Sequence, residues 1–287
     1  MTKKLTQPIK WHGGKHYLAG WIIDNMPPHL NYVEAFFGGG TVLLARDPTK
    51  DWFSLNGEQL PAKHRGCSEV VNDLHGELTN FWRVLQKPDD FDAFRRQVEL
   101  VPLSAVEWSD ASDEVNGSDP IAGAVCFFVR ARQSRQGLMK DFATLSRNRT
   151  RRGMNEQASA WLTATEGLAD VHRRLKGVVI LNDDACRVIE RQDGLHTLFY
   201  CDPPYLHETR VSRSTYAHEM TAAEHEKLLQ TLSRIEGKFL LSGYRSALYD
   251  AYAATHGWRR EDREIDNKAS SRKEKEKKCE CLWMNFE

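Results

Sequence analysis

Two rhythms of apolar residues alternate along the chain. Short apolar runs bounded by polar turns predict buried strands at residues 31–36, 69–72, 178–181, 197–201, 238–241 and 281–286. Stretches whose apolar positions return at three- and four-residue spacing predict helices at 17–26, 41–46, 75–86, 221–235 and 246–254. In the third of these, Leu78, Phe81, Trp82 and Leu85 fall on one face. Pro27-Pro28 stops the first helix, and Lys87-Pro88 marks a break after the third. Residues 47–66 are polar and irregular, which predicts a surface excursion. Between the break and about residue 175 the alternation stops. Helices are predicted there at 91–100, 121–132 and 157–175, with a polar acidic loop at 109–119.

This order predicts an α/β protein: a sheet domain formed by residues 1–86 and 176–287, interrupted by a mainly helical insertion at 87–175. With 287 residues the chain is long enough to bury a substantial core. Its 40% hydrophobic and 28% charged content is ordinary for a globular protein. No apolar stretch approaches the roughly 20 residues of a membrane helix, and the opening Met1-Thr2-Lys3-Lys4 lacks a signal-peptide core. The six cysteines stand at 67, 126, 186, 201, 279 and 281, without disulfide or zinc spacing, so a reducing cytoplasm is expected. Cys279-x-Cys281 reads as half a metal site or, more plainly, as two cysteines on one face of a strand; no metal is expected.

Formal net charge is zero, yet the distribution is uneven. Arg130, Arg132, Arg135, Lys140, Arg147, Arg149, Arg151 and Arg152 face a single acid, Asp141, within 130–152. A surface that only solubilises would mix in acids. The cluster at 272–278 alternates Lys and Glu and reads as a solvated loop.

Three stretches carry candidate chemistry. Asp202-Pro203-Pro204-Tyr205 follows the apolar run Leu198-Phe199-Tyr200-Cys201, which places it at the carboxyl end of a sheet, where α/β folds bind ligands. Both prolines fix φ and lack an N–H, so the Pro203 carbonyl points in a defined direction. A carboxylate and a fixed carbonyl that accept the two N–H bonds of an aromatic amine would localise its lone pair. They would also stabilise the positive charge that develops as the nitrogen is methylated. Tyr205 offers a ring for base stacking. The bland alternative is a loop turn with an incidental acid. Second, Glu34-Ala35-Phe36-Phe37-Gly38-Gly39-Gly40 is a strand ending in a glycine turn. Leu43 stands where a dinucleotide fingerprint needs its third glycine, so the loop fits a cofactor without pyrophosphate. Asp73, just beyond the next strand, reads either as a ribose-hydroxyl acceptor or as a cap of the following helix. Third, Lys10-Trp11-His12-Gly13-Gly14-Lys15 reads as a ligand cradle without P-loop spacing, or as a flexible leader with Trp11 in the core.

In this order the stretches resemble the DNA adenine methyltransferase (Dam) family, in its phage-like members. Lys10 to Lys15 is similar to the family's amino-terminal K-W-x-G-G-K, and residues 34–40 to its E-P-F-x-G-x-G, with Ala35 in place of proline. Asn72-Asp73 resembles the acidic ribose turn, Ile180 to Asp184 a strand ending in the aspartate beside the cofactor adenine, and Glu280 to Asn285 the late strand. The catalytic tetrapeptide is unaltered. The resemblance implies a Rossmann-like sheet domain that uses S-adenosyl-L-methionine, with the helical insertion recognising the target in double-stranded DNA. It implies that Asp202, Pro203, Pro204 and Tyr205 are catalytic, and that Trp11, Lys15, Glu34, Phe36, Gly38, Gly39, Gly40, Asp73, Asp184 and Asp202 bind the cofactor. The DNA-facing candidates are Arg130, Arg132, Arg135, Arg147, Asn148, Arg149, Arg151 and Arg152, joined by Arg210 and Arg213 in the polar stretch after the turn. The middle region departs from the family, because 147–153 lacks a hairpin-like recognition sequence.

Three rivals remain open at this point. Cytosine-N4 enzymes usually carry Ser or Thr where Asp202 stands; an RNA or protein amine methyltransferase would use a similar turn; a silent DNA-binding regulator would share the scaffold. Nothing in the sequence indicates an oligomer.

Overall fold

The computed structural model describes residues 5–55, 58–59, 66–113, 119–206, 219–266 and 277–287. Its sheet contains β1 (Asn31–Glu34), β2 (Ser68–Asn72), β3 (Val178–Leu181), β4 (Thr197–Cys201), β5 (Lys238–Tyr244), β6 (Arg259–Asp266) and β7 (Lys277–Met284). The strand order is β6-β7-β5-β4-β1-β2-β3. Strand β1 runs parallel to both β2 and β4, and β4 runs parallel to β5. Strand β7 is antiparallel to β5 and β6. This is the mixed, mostly parallel sheet of an α/β protein.

The sequence accounts for the pattern. All five residues of β4 are buried, as expected of a parallel strand covered on both faces, where no polar alternation survives. Helices α1 (Ala19–Asp24), α2 (Thr41–Ala45) and α3 (Gly76–Gln86) fall where periodicity places them. So do α4 (Pro88–Leu100), α6 (Pro120–Gln133), α10 (Ala222–Leu232) and α11 (Ala247–His256), whereas the single helix predicted at 157–175 divides at Gly167 into α7 (Glu156–Glu166) and α8 (Leu168–Leu175). Pro88 does not leave a gap; it opens α4 at the first helical position, where its missing N–H costs nothing.

Four local expectations are corrected. Helix α5 (Ala105–Asp113) occupies the start of the predicted acidic loop; Ser104 Oγ accepts from the backbone N–H groups of Val106 and Glu107. Helix α9 (Ala185–Gln192) was not marked by periodicity, although Cys186, Val188 and Ile189 bury one side of it. Strand β6, reading Arg259-Arg260-Glu261-Asp262-Arg263-Glu264, escapes a hydrophobicity reading because it is an edge strand, where charge protects against further pairing. Within 47–66, Ser54–Leu55 pairs with Glu58–Gln59.

The chain divides into two compact units. The first, Met1–Gly20, Gly38–Pro48 and His75–Asn182, is mainly helical and includes β3. Its core is aromatic: Phe81 stacks on Phe128 with 5.9 Å between centroids, and Phe128 meets Trp161 at 5.2 Å. The second, Trp21–Phe37, Thr49–Leu74 and Asp183–Glu287, holds the other six strands. Phe199, Leu240, Leu241 and Trp283 are fully buried there.

One side chain fixes the carboxyl ends of the second unit's strands. Asn72, 1% exposed, donates from Nδ2 to the carbonyls of Ala35 at 3.1 Å and Asp183 at 3.0 Å. Its Oδ1 accepts from Asp183 N–H at 2.9 Å, and its carbonyl accepts from Phe37 N–H at 2.8 Å. Truncation to Ala would leave buried backbone groups without partners, so Asn72→Ala is expected to cost about 2 kcal/mol of stability. A denaturant midpoint that does not move would show that the clamp is dispensable.

Candidate active site

The second unit gathers carboxylates and phenols at one end of its sheet. Strand β4 delivers Asp202 at its carboxyl terminus, half-buried, with Pro203, Tyr205 and Leu206 buried behind it. Glu34, at the end of β1, is 1% exposed and accepts from Tyr32 Oη at 2.7 Å. Glu34 and Tyr200 are register partners, and Ala35 N–H donates to the Tyr200 carbonyl at 3.2 Å. Tyr200 Oη lies 3.1 Å from Ser242 Oγ. Tyr205 donates its hydroxyl to Glu280 of β7, which is 2% exposed, and its ring meets Tyr244 edge-on with centroids 4.6 Å apart.

The electrostatics follow from burial. Desolvation pushes the Tyr200 phenol well above its ordinary value, and the carboxylates of Asp202, Glu34 and Glu280 raise it further. Desolvation does the same to Tyr205, reinforced by Glu280 and Asp202. The Cys201 thiol also moves upward through burial. These groups hold their protons at neutral pH. The site therefore sets protonated phenols beside carboxyl acceptors in a largely buried setting. Tyr205, which the sequence offers as a ring for base stacking, is 7% exposed with its hydroxyl engaged.

In the first unit the glycine turn lies against Trp11. Gly38 has φ +50°, and a Cβ built there would sit 2.8 Å from Trp11 Nε1; a Cβ on Gly39 would come 2.8 Å from Trp11 Cβ. Only glycine lets the backbone approach the indole this closely. Trp82 Nε1 donates to the Gly38 carbonyl at 3.1 Å, and Lys15, 7% exposed, donates to the Gly13 carbonyl at 3.3 Å. Trp11 is thus packed against the loop, and its ring centroid lies 6.0 Å from that of His75. Phe36, in the second unit, is half-buried.

The acidic positions separate by role. The N-cap of α3 is His75, whose ring accepts from Leu78 N–H, so Asp73 does not cap that helix. Asp184 does cap one: it accepts from Arg187 N–H at 3.1 Å and pairs with Lys227 at 3.2 Å. Asp183 pairs with Arg187 at 2.7 Å and Arg191 at 3.0 Å. In the first unit the glycine loop is already at the limit of side-chain space against Trp11.

The arginines of 130–152 also divide. Arg130 pairs with Glu77 at 2.8 Å and its side chain is only 12% exposed. Arg132 donates to the Ala160 carbonyl, and burial lowers its pKa to about 10. Lys10, lowered to about 8 by burial and then by Arg132, reaches Gln157 Oε1 at 3.2 Å; in the sequence Lys10 stood out only as part of a motif. Arg135, Arg147, Asn148, Arg149 and Arg151 are exposed, with Arg149 3.7 Å from Glu156. A hairpin that the sequence did not announce lies here. Residues 150–155 do form a hairpin, Thr150–Arg151 against Met154–Asn155, turning through Arg152 (φ +56°) and Gly153 (φ +74°). Two consecutive positive φ values define its short turn, for which Asn-Gly is the usual signal; arginine at the first position concealed it. Arg210 and Arg213 lie outside the described residues.

Sequence reasoning missed Glu280 and the Asn72 clamp. A lone acid adjoining the apolar run Cys281-Leu282-Trp283-Met284 was the available signal for the first. Among the described residues, Asp262, Cys279 and Cys281 bring possible metal ligands within 4.8 Å of one another, but Arg260 already holds Asp262 at 2.8 Å.

No curated protein matches the chain. Residues 11–265 match a protein family, beginning at Trp11 of the amino-terminal motif and taking in the glycine turn, Asn72-Asp73 and Asp202-Pro203-Pro204-Tyr205. That match covers most of the sequence, and the chain belongs to the D12 class N6 adenine-specific DNA methyltransferases.

Proposed function

We propose that this adenine-specific DNA methyltransferase takes its methyl group from S-adenosyl-L-methionine and acts on an adenine flipped out of duplex DNA. The observation that carries the reading is the delivery of Asp202-Pro203 from the end of a fully buried strand, beside the buried carboxyls of Glu34 and Glu280. In this reading Asp202 and Pro203 accept the two N6–H bonds. Their fixed positions localise the nitrogen lone pair and meet the positive charge as it forms. Flipping is required because N6 lies against the partner base in the duplex. The bound cofactor supplies an electrophilic methyl group. Trp11, Lys15 and the Gly38–Gly40 turn would contact it, with Glu34, Phe36, Asp73 and Asp184 completing the set. Retention of the acid at position 202, with both prolines and Tyr205, favours adenine chemistry over a cytosine-specific or silent scaffold. Among the described residues no helix is long and apolar enough to cross a membrane.

The helical segment 87–175 serves target recognition in this reading, with the 150–155 hairpin and the exposed Arg147, Arg149 and Arg151 facing DNA. Arginine suits both roles, pairing with phosphate or forking onto guanine.

Three outcomes test this. Asp202→Ala should fold yet lose methyl transfer by about a hundredfold or more, since one preorganised acceptor is worth on the order of 3 kcal/mol. Tritiated-methyl incorporation followed by nucleoside analysis measures the loss and identifies the product; near-normal turnover by folded protein would remove Asp202 from the mechanism. Asp73→Ala should weaken cofactor binding by about 1–3 kcal/mol in calorimetry while DNA affinity holds. Neutralising Arg147, Arg149 and Arg151 together should lower DNA affinity and flatten its log-salt dependence by roughly one unit for each phosphate no longer neutralised. If neither changes, DNA lies elsewhere.

A further inference from the structure

The two prolines of the catalytic turn cannot donate backbone hydrogen bonds, so neither can be tied down through an N–H. Contacts on the flanking residues therefore gain weight in holding the turn. On the far side stands Tyr205, and two contacts from neighbouring strands fix it. Its hydroxyl donates to the Glu280 carboxylate, and its ring edge packs on Tyr244 at 4.6 Å with an interplanar angle of 70°. Glu280 and Tyr244 are register partners across β7 and β5, so both contacts come from one rung of the sheet. Glu280 is 2% exposed. A carboxylate at that depth is expensive unless something there uses it.

We propose that Glu280 is a positioning residue: its carboxylate anchors the Tyr205 hydroxyl and thereby sets the orientation of the Asp202-Pro203-Pro204-Tyr205 turn. This rests on the reading of that turn as the catalytic one. Buried beside two acids, the phenol keeps its proton, so the donor persists across the working pH range. The ring is pinned at its edge and at its hydroxyl, which leaves its rotation about the chain fixed. Small displacements of acceptors that must meet a reacting nitrogen are costly in rate, and loss of this anchor should register there.

The test is a set of variants assayed for kcat and for cofactor KM on duplex DNA. Glu280→Ala should lower kcat at least tenfold with the cofactor KM within twofold of the parent. Glu280→Gln, which keeps an acceptor oxygen, should restore kcat to within a few-fold. Tyr205→Phe should lose activity comparably, and once it is in place Glu280→Leu, which removes the acceptor but keeps the volume, should cost little more. That cycle also serves if Glu280→Ala does not fold. Folded Glu280→Ala with parental kcat, no rescue by Gln, or losses that multiply independently across the cycle would each overturn the proposal. Asp202→Ala, run in parallel, separates the two levels. If it is inactive while Glu280 variants are normal, only the positioning role fails; if it is active, the turn itself has been misread.

Discussion

Asn72 is a short amide at the end of a buried strand, and the geometry of the second unit's sheet end depends on it. Its side chain joins the β1 extension at Ala35 to the turn at Asp183, and its own carbonyl takes the Phe37 N–H. Strands in a sheet are secured by their ladders, but the loops beyond their carboxyl ends are not. In a parallel sheet those loops carry the chemistry, so some interaction outside the ladder must place them. Here one amide with both donor and acceptor capacity spans backbone groups of two different loops, which neither a carboxylate nor an aliphatic side chain of that size can do.

From that fixed rim the electrostatic character follows. Glu34 and Glu280 are almost wholly removed from water, and the phenols of Tyr32 and Tyr205 donate to them. Because burial raises the phenols of Tyr200 and Tyr205, they do not ionise and compete with the acids. An acceptor-rich setting of this kind gives little to a neutral amine in its ground state and more to the same nitrogen as it becomes cationic. That difference is what accelerates a reaction.

Most of the sheet was legible because β1, β2, β4 and β5 centre on short apolar runs, Tyr32-Val33, Val70-Val71, Leu198 to Cys201 and Phe239 to Leu241, flanked by polar residues. The tetrapeptide at 202–205 was legible for the same reason: strand first, chemistry immediately after. Strand β6 was not, since edge pairing is satisfied by charged residues whose sequence resembles a loop. Helix α9 is short and begins in Asp184, so its cap looked like part of the acidic turn. The Glu280–Tyr205 contact joins residues 75 positions apart, and no local pattern encodes a pairing at that separation.

The hairpin at 150–155 shows how the same physics can hide a feature and still build it. Its turn places Arg152 at φ +56°, where a side chain other than Asn, Asp or Gly is disfavoured. The guanidinium of Arg152 is held by both oxygens of Glu166, at 2.9 and 3.1 Å, on the helix that follows the hairpin. An ion pair at the surface thus accompanies the strained turn. Gly153 supplies the second positive φ without a Cβ. Arg151 pairs with Met154 in the ladder and remains exposed, as does Arg147 before it. A dense run of arginines is therefore two populations. One, including Arg130 and Arg152, neutralises acids of its own unit; the other leaves its charge at the surface, where an anionic polymer can meet it.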